Sequence, residues 1–213
     1  MARGSLFDPD VPSGFEYRDD FLTTDEEAQL ADEIGRVEFS RFEMHGVAAR
    51  RRVAFFGRSY DAGSAPALPL PPFLLALRDK VAIWTGTDAG AFAMALINEY
   101  PPGAPIGWHR DAPQYDIVAG LSLLSSCRMK FRPYVRPASA RRASARLAEA
   151  PQARRRAGER SSSSGVRRMA THEIVLERRS AYLLSGEARN AFEHHIPPVT
   201  TLRYSITFRT LRS

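Results

Sequence analysis

The 213-residue sequence contains little cysteine and no long apolar run. Cys127 is the only cysteine, which excludes an internal disulfide and favours a reducing compartment. No apolar stretch approaches the roughly 20 residues that a membrane-spanning helix needs, and residues 1–8 lack the apolar segment of a secretory signal. We therefore expect a cytoplasmic protein without membrane contact, folded as a single domain over residues 1–213. The sequence contains no heptad pattern that would indicate an obligate protein partner, so we expect a monomer.

Lysine is also scarce, and the positive charge is concentrated in one segment. Arginine outnumbers lysine 28 to 2, and residues 136–168 contain ten arginines against two glutamates. The net charge of the whole chain is +6, so the remaining residues together are weakly acidic. The segment at about 136–170 lacks apolar periodicity, which predicts a mobile basic insertion. It either grips a nucleic-acid backbone or is a solvated loop; the absence of aromatic residues between its arginines favours the loop.

The order of the periodic segments predicts an α+β fold. Residues 24–37 have helical spacing behind a capping-box pattern, Thr24 to Glu27, and residues 71–84 form a second amphipathic pattern. Strand patterns follow from residue 91 onward. Helices followed by many short strands are typical of a sandwich or barrel packed against helices. The predicted strands are 92–100, 116–124, 127–135, 171–178, 180–184 and 200–211.

The last predicted strand has one apolar and one polar face, because strand side chains alternate. Leu202, Tyr204, Ile206 and Phe208 share the apolar face, and the other carries Arg203, Ser205, Thr207 and Arg209. The polar row either faces water or lines a cavity. In a cavity, two arginines would need anions, and a bound dicarboxylate would satisfy them.

Two imidazoles and one carboxylate are candidates for a metal site. His109 and Asp111 occupy alternate positions, so both side chains can converge on one ion from an extended segment. His194 shares an apolar face with Phe192 and Ile196, whereas His195 points the other way, so we choose His194 as the third ligand. A His-Asp-His set suits iron(II) and leaves coordination positions open. Asn98 and Tyr100, at the end of an apolar strand, could hydrogen-bond a carboxylate beside the metal or simply end the strand.

The sequence contains six motifs in this order: Asn98–Tyr100, Gly103–Asp111, Leu121–Leu124, Met129–Arg132, Arg179–Arg189 and Arg203–Arg209. Taken together, they resemble the AlkB family of iron(II)/2-oxoglutarate dioxygenases. The resemblance covers roughly residues 48–211 without the basic insertion. It implies a double-stranded β-helix, or jelly roll, flanked by N-terminal helices, with iron(II) as metal and 2-oxoglutarate and O2 as cosubstrates.

The resemblance also implies roles for individual residues. Iron would be bound by His109, Asp111 and His194. Arg203 would bind the distal carboxylate of 2-oxoglutarate, helped by Tyr100 and Ser205. Arg209 and Asn98 would serve the carboxylate beside the keto group.

The segment 50–57 resembles the nucleotide lid of such enzymes, with arginines for phosphate and aromatic rings for a flipped base. Candidate substrate contacts are Arg51, Phe56 and Tyr60. The alternative interpretation of this segment is a strand with a basic lead-in.

The leading hypothesis is oxidative dealkylation of N-alkylated bases, of the 1-methyladenine or 3-methylcytosine type, in DNA or RNA, as in DNA repair. One alternative is the same iron chemistry on a protein side chain or small molecule. A further alternative is a non-catalytic jelly roll that binds nucleic acid. The intact ligand set and both arginines argue against the last, because a binding module does not need them.

Overall fold

The computed structural model describes residues 11–44, 47–58, 68–135 and 171–212. The predicted insertion at about 136–170 and the candidate contact Tyr60 therefore lie outside the described residues. Within these ranges no helix is long and apolar enough to cross a membrane. The elements in chain order are β1 (Phe15–Arg18), α1 (Thr24–Gly35), β2 (Ser40–Met44), β3 (Val47–Gly57), α2 (Pro72–Thr85), β4 (Phe92–Tyr100), β5 (Ile106–His109), β6 (Tyr115–Leu123), β7 (Cys127–Pro133), β8 (His172–Leu176), β9 (Ala181–Leu184), α3 (Gly186–Asn190), β10 (Phe192–Ile196) and β11 (Arg203–Leu211).

Helix α1 begins one residue earlier in its capping box than the sequence pattern indicates. The Thr23 hydroxyl accepts a hydrogen bond from the Glu26 backbone N–H at 3.1 Å, and the Glu26 carboxylate accepts one from the Thr23 N–H at 2.7 Å. Glu27 is instead buried, accepting hydrogen bonds from the Leu124 N–H at 2.8 Å and from the Arg178 guanidinium. Because tertiary partners hold Glu27, Glu26 closes the box.

The strands form two antiparallel sheets. The larger sheet has seven strands in the order β1-β9-β6-β11-β4-β3-β2, and the smaller has four in the order β5-β10-β7-β8. Consecutive strands in the chain alternate between the sheets at β4–β5–β6 and at β9–β10–β11. This alternation between two facing sheets is the predicted jelly-roll arrangement.

Two clusters of buried side chains hold the layers together. In the outer cluster, Ile34 of α1 and Val81 of α2 pack with Ile206 and Phe208 of β11. The inner cluster lies between the two sheets and includes Phe131 of β7. The apolar face of β11 therefore packs against the helices, as the alternation requires if the polar face lines a cavity.

The register aligns the inward-facing side chains of the large sheet in rows. One row contains Arg203 of β11 opposite Tyr100 of β4. The next row contains Ser122, Ser205 and Asn98 from three adjacent strands. The following rows run through Gly120 and Thr207, and then through Val118, Arg209 and Met94. Polar residues from distant parts of the sequence thus share one surface.

Candidate active site

A cavity of about 370 Å³ lies between the two sheets. The large sheet contributes Asn98, Tyr100, Ser205, Thr207 and Arg209 to its wall. Residues of the small sheet and of the segment after β5 close the opposite side. These are Ile106, His109, Arg110, Asp111, Ala112, Met129, His194 and Ile196.

Two imidazoles and a carboxylate meet at one end of this cavity. Strands β5 and β10 pair so that His109 lies opposite His194, with ring centroids 4.2 Å apart. The His194 Nε2 atom lies 3.7 Å from Asp111 Oδ2. One potential ligand atom from each of the three residues lies within 4.8 Å of the others. That spacing and donor set fit a single divalent metal ion.

Backbone carbonyls orient the histidines. The Nδ1 atom of His109 lies 2.9 Å from the Gly107 carbonyl oxygen. Because a carbonyl only accepts, Nδ1 carries the proton there and Nε2 keeps the lone pair that a metal requires. His195 points to the other face of β10, where its Nδ1 lies 2.7 Å from the Ile106 carbonyl and its ring lies beside Trp108. Of the two adjacent histidines, His194 is the one in the cavity.

Burial sets the protonation states of these groups. Burial lowers the pKa of His109, and burial together with the neighbouring His109 lowers the pKa of His194 to about 3. Burial alone would raise the pKa of Asp111, but Arg209 and the two imidazoles hold it well below its usual range. At neutral pH the cluster therefore presents two neutral imidazoles and one carboxylate, the forms that bind a metal.

Arg209 contacts the carboxylate of this cluster directly. Its Nε and Nη2 atoms donate to Asp111 Oδ1 at 2.9 and 2.8 Å, and its Nη1 donates to the Thr207 hydroxyl at 2.8 Å. The opposite oxygen, Oδ2, faces His194. A charge-assisted pair of this kind fixes the orientation of the carboxylate, so Arg209 links the His-Asp-His cluster to the wall of the large sheet.

Arg203 is a fully buried cation with incomplete hydrogen bonding. Its side chain is 0% exposed, its Nε donates to the Ser122 hydroxyl at 3.1 Å, and its guanidinium lies 5.2 Å from the Tyr100 ring centroid. Its Nη1 and Nη2 have no hydrogen-bond partner within the described ranges, and the same is true of the buried Asn98 Oδ1. A buried guanidinium with two unused donors fits a bound carboxylate, as 2-oxoglutarate would supply.

The structure corrects one of the predicted substrate contacts. Phe56 is buried in the outer cluster beneath the helices and does not reach the cavity. The alternating positions Arg51 and Phe55 line the cavity instead, and Phe55 is 40% exposed. Phe56 lies on the opposite face of β3 from Arg51. Because Arg51 and Phe56 are five residues apart, they cannot share a strand face, and this signal is present in the sequence.

Several residues of the cavity wall lie outside the predicted site, among them two aromatic residues. Tyr182 of β9 and Phe55 of β3 both line the cavity. Phe55 could have been found by alternation from Arg51. Tyr182 points inward because it pairs with Gly120 of β6. No local sequence pattern predicts this pairing.

Comparison with known proteins identifies the family. A model of the 2OG-Fe(II) oxygenase superfamily matches residues 20–209. The chain belongs to this family. The chain is 30% identical over 190 residues to the "Alkylated DNA repair protein ALKBH8 homolog" of Arabidopsis thaliana. That match covers 84% of the chain but only 49% of the relative, so the chain spans about half of that protein's length.

Solved structures confirm the fold of this 2-oxoglutarate dioxygenase. The structure of OsALKBH1 matches with a TM-score of 0.60 at 12% identity, over 94% of the chain and 99% of that protein. A Pseudomonas putida prolyl-4-hydroxylase matches with a TM-score of 0.54 at 16% identity, over 94% of each chain. The predicted double-stranded β-helix is confirmed, and so are the predicted iron(II), 2-oxoglutarate and O2.

Proposed function

We propose that this dioxygenase removes N-alkyl groups from bases of DNA or RNA, with lesions of the 1-methyladenine and 3-methylcytosine type as its substrates. The observation that carries the proposal is an exposed aromatic ring, Phe55, on the wall of a cavity that also contains a His-Asp-His cluster. Enzymes that act on a base take it out of the stack and hold it against such a ring. The name of the Arabidopsis relative supports the same substrate class.

We assign the metal and cosubstrate contacts residue by residue. His109, Asp111 and His194 hold the iron, because they converge within ligand distance of one another. Arg203 binds the distal carboxylate of 2-oxoglutarate with its two unused donors, and Tyr100 and Ser205 assist from the same wall.

We assign binding of the carboxylate beside the keto group to two further residues of the wall. Asn98 and Arg209 both line the cavity, in rows that lie nearer the metal cluster than Arg203 does. Arg209 also keeps Asp111 oriented through its two hydrogen bonds to Oδ1.

In the proposed mechanism the protein positions the N-alkyl group and protects the site. When bound, iron with O2 and 2-oxoglutarate supplies the oxidising power to hydroxylate an N-methyl C–H bond. The N-hydroxymethyl product then releases formaldehyde and the unmodified base, while 2-oxoglutarate leaves as succinate and CO2. Buried apolar walls such as Val118 and Met129 limit the water that reaches the site. The fixed imidazoles and carboxylate hold the reaction geometry.

The substrate enters on the β3 side in this proposal. Phe55 stacks on the flipped base, and Arg51, which lines the same cavity, adds positive charge close to the base. Burial lowers the pKa of Arg51, although an arginine remains charged at neutral pH. Tyr60 stays a prediction, because it lies outside the described residues.

The test is a methyl-removal assay. The protein is incubated with iron(II), 2-oxoglutarate, ascorbate and a single-stranded oligonucleotide that carries 1-methyladenine or 3-methylcytosine, and the product is weighed by mass spectrometry. We expect loss of one methyl group, abolished by His109→Ala. Arg51→Met should slow the reaction, whereas Arg52→Met should not, because Arg52 faces away from the cavity and pairs with Glu99.

A second candidate keeps the oxidant and changes the substrate. The fold is shared with a prolyl-4-hydroxylase, so the fold alone does not select a nucleic acid over a protein or small molecule. Succinate formed without loss of the methyl group would favour this second candidate. Neither succinate nor methyl loss would contradict both. The single-domain organisation, the monomeric state and the role of the basic insertion stay predictions.

A further inference from the structure

Tyr182 occupies space that only a glycine leaves open. A Cβ atom at Gly120 would lie 2.2–2.5 Å from the Cζ, Cε1 and hydroxyl atoms of Tyr182, far inside van der Waals contact. The backbone of Gly120 is not in the left-handed region, so local conformation does not require a glycine at this position. The glycine is required because the hydroxyl end of the tyrosine ring lies directly over it.

The register places this phenol on the same wall as the proposed site for the distal carboxylate. Tyr182 of β9 pairs with Gly120 of β6, which pairs with Thr207 of β11. One row away lies Ser122, the residue that accepts the hydrogen bond from Arg203 Nε. Tyr182 leans across β6, so its hydroxyl end points toward β11, the strand that carries Arg203.

The ring of Tyr182 is held in place, and the residue lines the cavity. It stacks on Phe15, with ring centroids 6.3 Å apart and planes 15° apart, and the residue is 6% exposed. The hydroxyl makes no hydrogen bond to another described residue. A rigid phenol at the wall of the cavity thus has a donor to offer to a ligand.

The phenol remains neutral in this setting. Burial, reinforced by the Asp111 carboxylate, raises the pKa of Tyr182 far above its usual value, and Arg203 only partly opposes the rise. A neutral phenol is a hydrogen-bond donor to an anion. The Nη1 and Nη2 donors of Arg203, on the same wall, have no partner among the described residues.

We propose that Tyr182, placed by Gly120, donates a hydrogen bond to the distal carboxylate of 2-oxoglutarate and so helps the enzyme to select a dicarboxylic keto acid. The inference rests on the proposed role of Arg203. A carboxylate offers about four lone-pair sites. The guanidinium fork takes two of them, and the Tyr182 hydroxyl takes a third from the β9 side. Tyr182 acts as a cosubstrate-binding residue and takes no part in oxygen chemistry.

The test compares two ligands by calorimetry on the iron(II)-loaded protein under argon. 2-Oxoglutarate carries the distal carboxylate, and 2-oxovalerate has a methyl group in its place. The ratio of their Kd values isolates the contribution of the distal carboxylate. Tyr182→Phe should reduce this ratio by about tenfold, as expected for loss of one hydrogen bond to a charged group. It should leave the affinity for 2-oxovalerate unchanged and should not lower the Tm.

Arg203→Met separates failure of this inference from failure of the proposed function. If Arg203→Met abolishes the discrimination but Tyr182→Phe leaves it intact, Tyr182 is not a contact while the role of Arg203 stands. If neither variant changes the ratio, both assignments are wrong. Equal weakening of both ligands by Tyr182→Phe would mean that the tyrosine acts only through packing, and would also overturn the proposal.

The close approach to Gly120 supplies an independent check. Gly120→Ala displaces the phenol without removing it, so it should reduce the same Kd ratio. In the Gly120→Ala background, Tyr182→Phe should cause no additional reduction, because the displaced hydroxyl no longer reaches the carboxylate. Independent, additive effects would contradict the proposed coupling. Should Gly120→Ala fail to fold, the Tyr182→Phe measurement decides the question alone.

Discussion

Replacing Arg203 with methionine should make the ligand-free protein more stable while making it insensitive to 2-oxoglutarate. The side chain is fully buried, yet Nη1 and Nη2 have no hydrogen-bond partner within the described residues. Its compensation is one hydrogen bond to Ser122 at 3.1 Å and the ring of Tyr100 at 5.2 Å. Methionine is unbranched and flexible enough to fill the space left by the arginine stem.

The magnitude follows from the interactions that the substitution removes. Each buried donor left without a partner costs about 1–3 kcal/mol, so two such nitrogens cost roughly 2–6 kcal/mol. The hydrogen bond to Ser122 is worth about 1 kcal/mol, and the cation–π interaction with Tyr100 about 1–2 kcal/mol. The midpoints of these ranges give Arg203→Met a net gain on the order of 1–2 kcal/mol in the free energy of unfolding without ligand.

Binding of 2-oxoglutarate should reverse the order of stability, so that the wild type becomes more stable than Arg203→Met. A cosubstrate at about 100 times its Kd stabilises the wild type by about 2.7 kcal/mol, and the variant should gain almost nothing. The measurement is urea unfolding of the iron(II)-loaded proteins under argon, with and without 2-oxoglutarate. Arg52→Met is the matched control, because that arginine is half exposed and pairs with Glu99 outside the cavity. It should respond to ligand as the wild type does.

Two results would refute this reasoning. One is a ligand-free Arg203→Met protein that is less stable than the wild type by about 1 kcal/mol or more, which would mean that the guanidinium is satisfied without ligand. The other is an equal stabilisation of wild type and variant by 2-oxoglutarate, which would place the distal carboxylate elsewhere.

Two further predictions concern β3 and α1. Phe55→Ala should lower the rate of methyl removal with little change in Tm, because Phe55 is partly exposed on the cavity wall. Phe56→Ala should cost about 3–5 kcal/mol of stability, measurable by urea unfolding. If Phe55→Ala were the destabilising variant and Phe56→Ala the one that slows methyl removal, the assignment of the two side chains to opposite faces of β3 would be wrong. Glu26→Gln should cost about 0.5–1 kcal/mol at pH 7, because it weakens the bonds to Lys80 and the Thr23 N–H at a largely exposed site. Those partners lower the pKa of Glu26, so its contribution is present above the usual carboxyl pKa and is lost as the pH falls. The stability difference from wild type should therefore shrink in acid, and a difference that persists at low pH would argue against the assignment.

Local patterns predict much of the secondary structure. The predicted strand 92–100 is β4, and the two predicted helices are each within two residues of α1 and α2. The alternation in β11 correctly separates its apolar face from its polar face. These predictions succeed because helix and strand periods are properties of neighbouring residues. The strands β1, β2 and β5 are short or weakly alternating and are not predicted, and for β3 a strand is only one of two interpretations.

The candidate site divides in the same way. Alternation within two short segments proposes His109, Asp111 and His194, and the structure brings them together. The choice of His194 over His195 needs only the parity of one strand. Residue type alone does not distinguish Phe56 from Phe55 as the substrate contact in the segment 50–57. If that segment is a strand, the alternation of its side chains puts Phe55, and not Phe56, on the same face as Arg51.

The sequence by itself determined the donor set, the polar row of β11 and the family, because each is recognised from short motifs, and within each motif the residues are close together in the chain. Only the tertiary structure decided which cation meets which partner. Arg209 pairs with Asp111 across 98 residues, while Arg203 is left with two unused donors. The tertiary structure also decided that the ring of Tyr182 lies over Gly120, 62 residues away. Such contacts depend on the register between paired strands and on the distance between the sheets, and no local pattern contains either quantity.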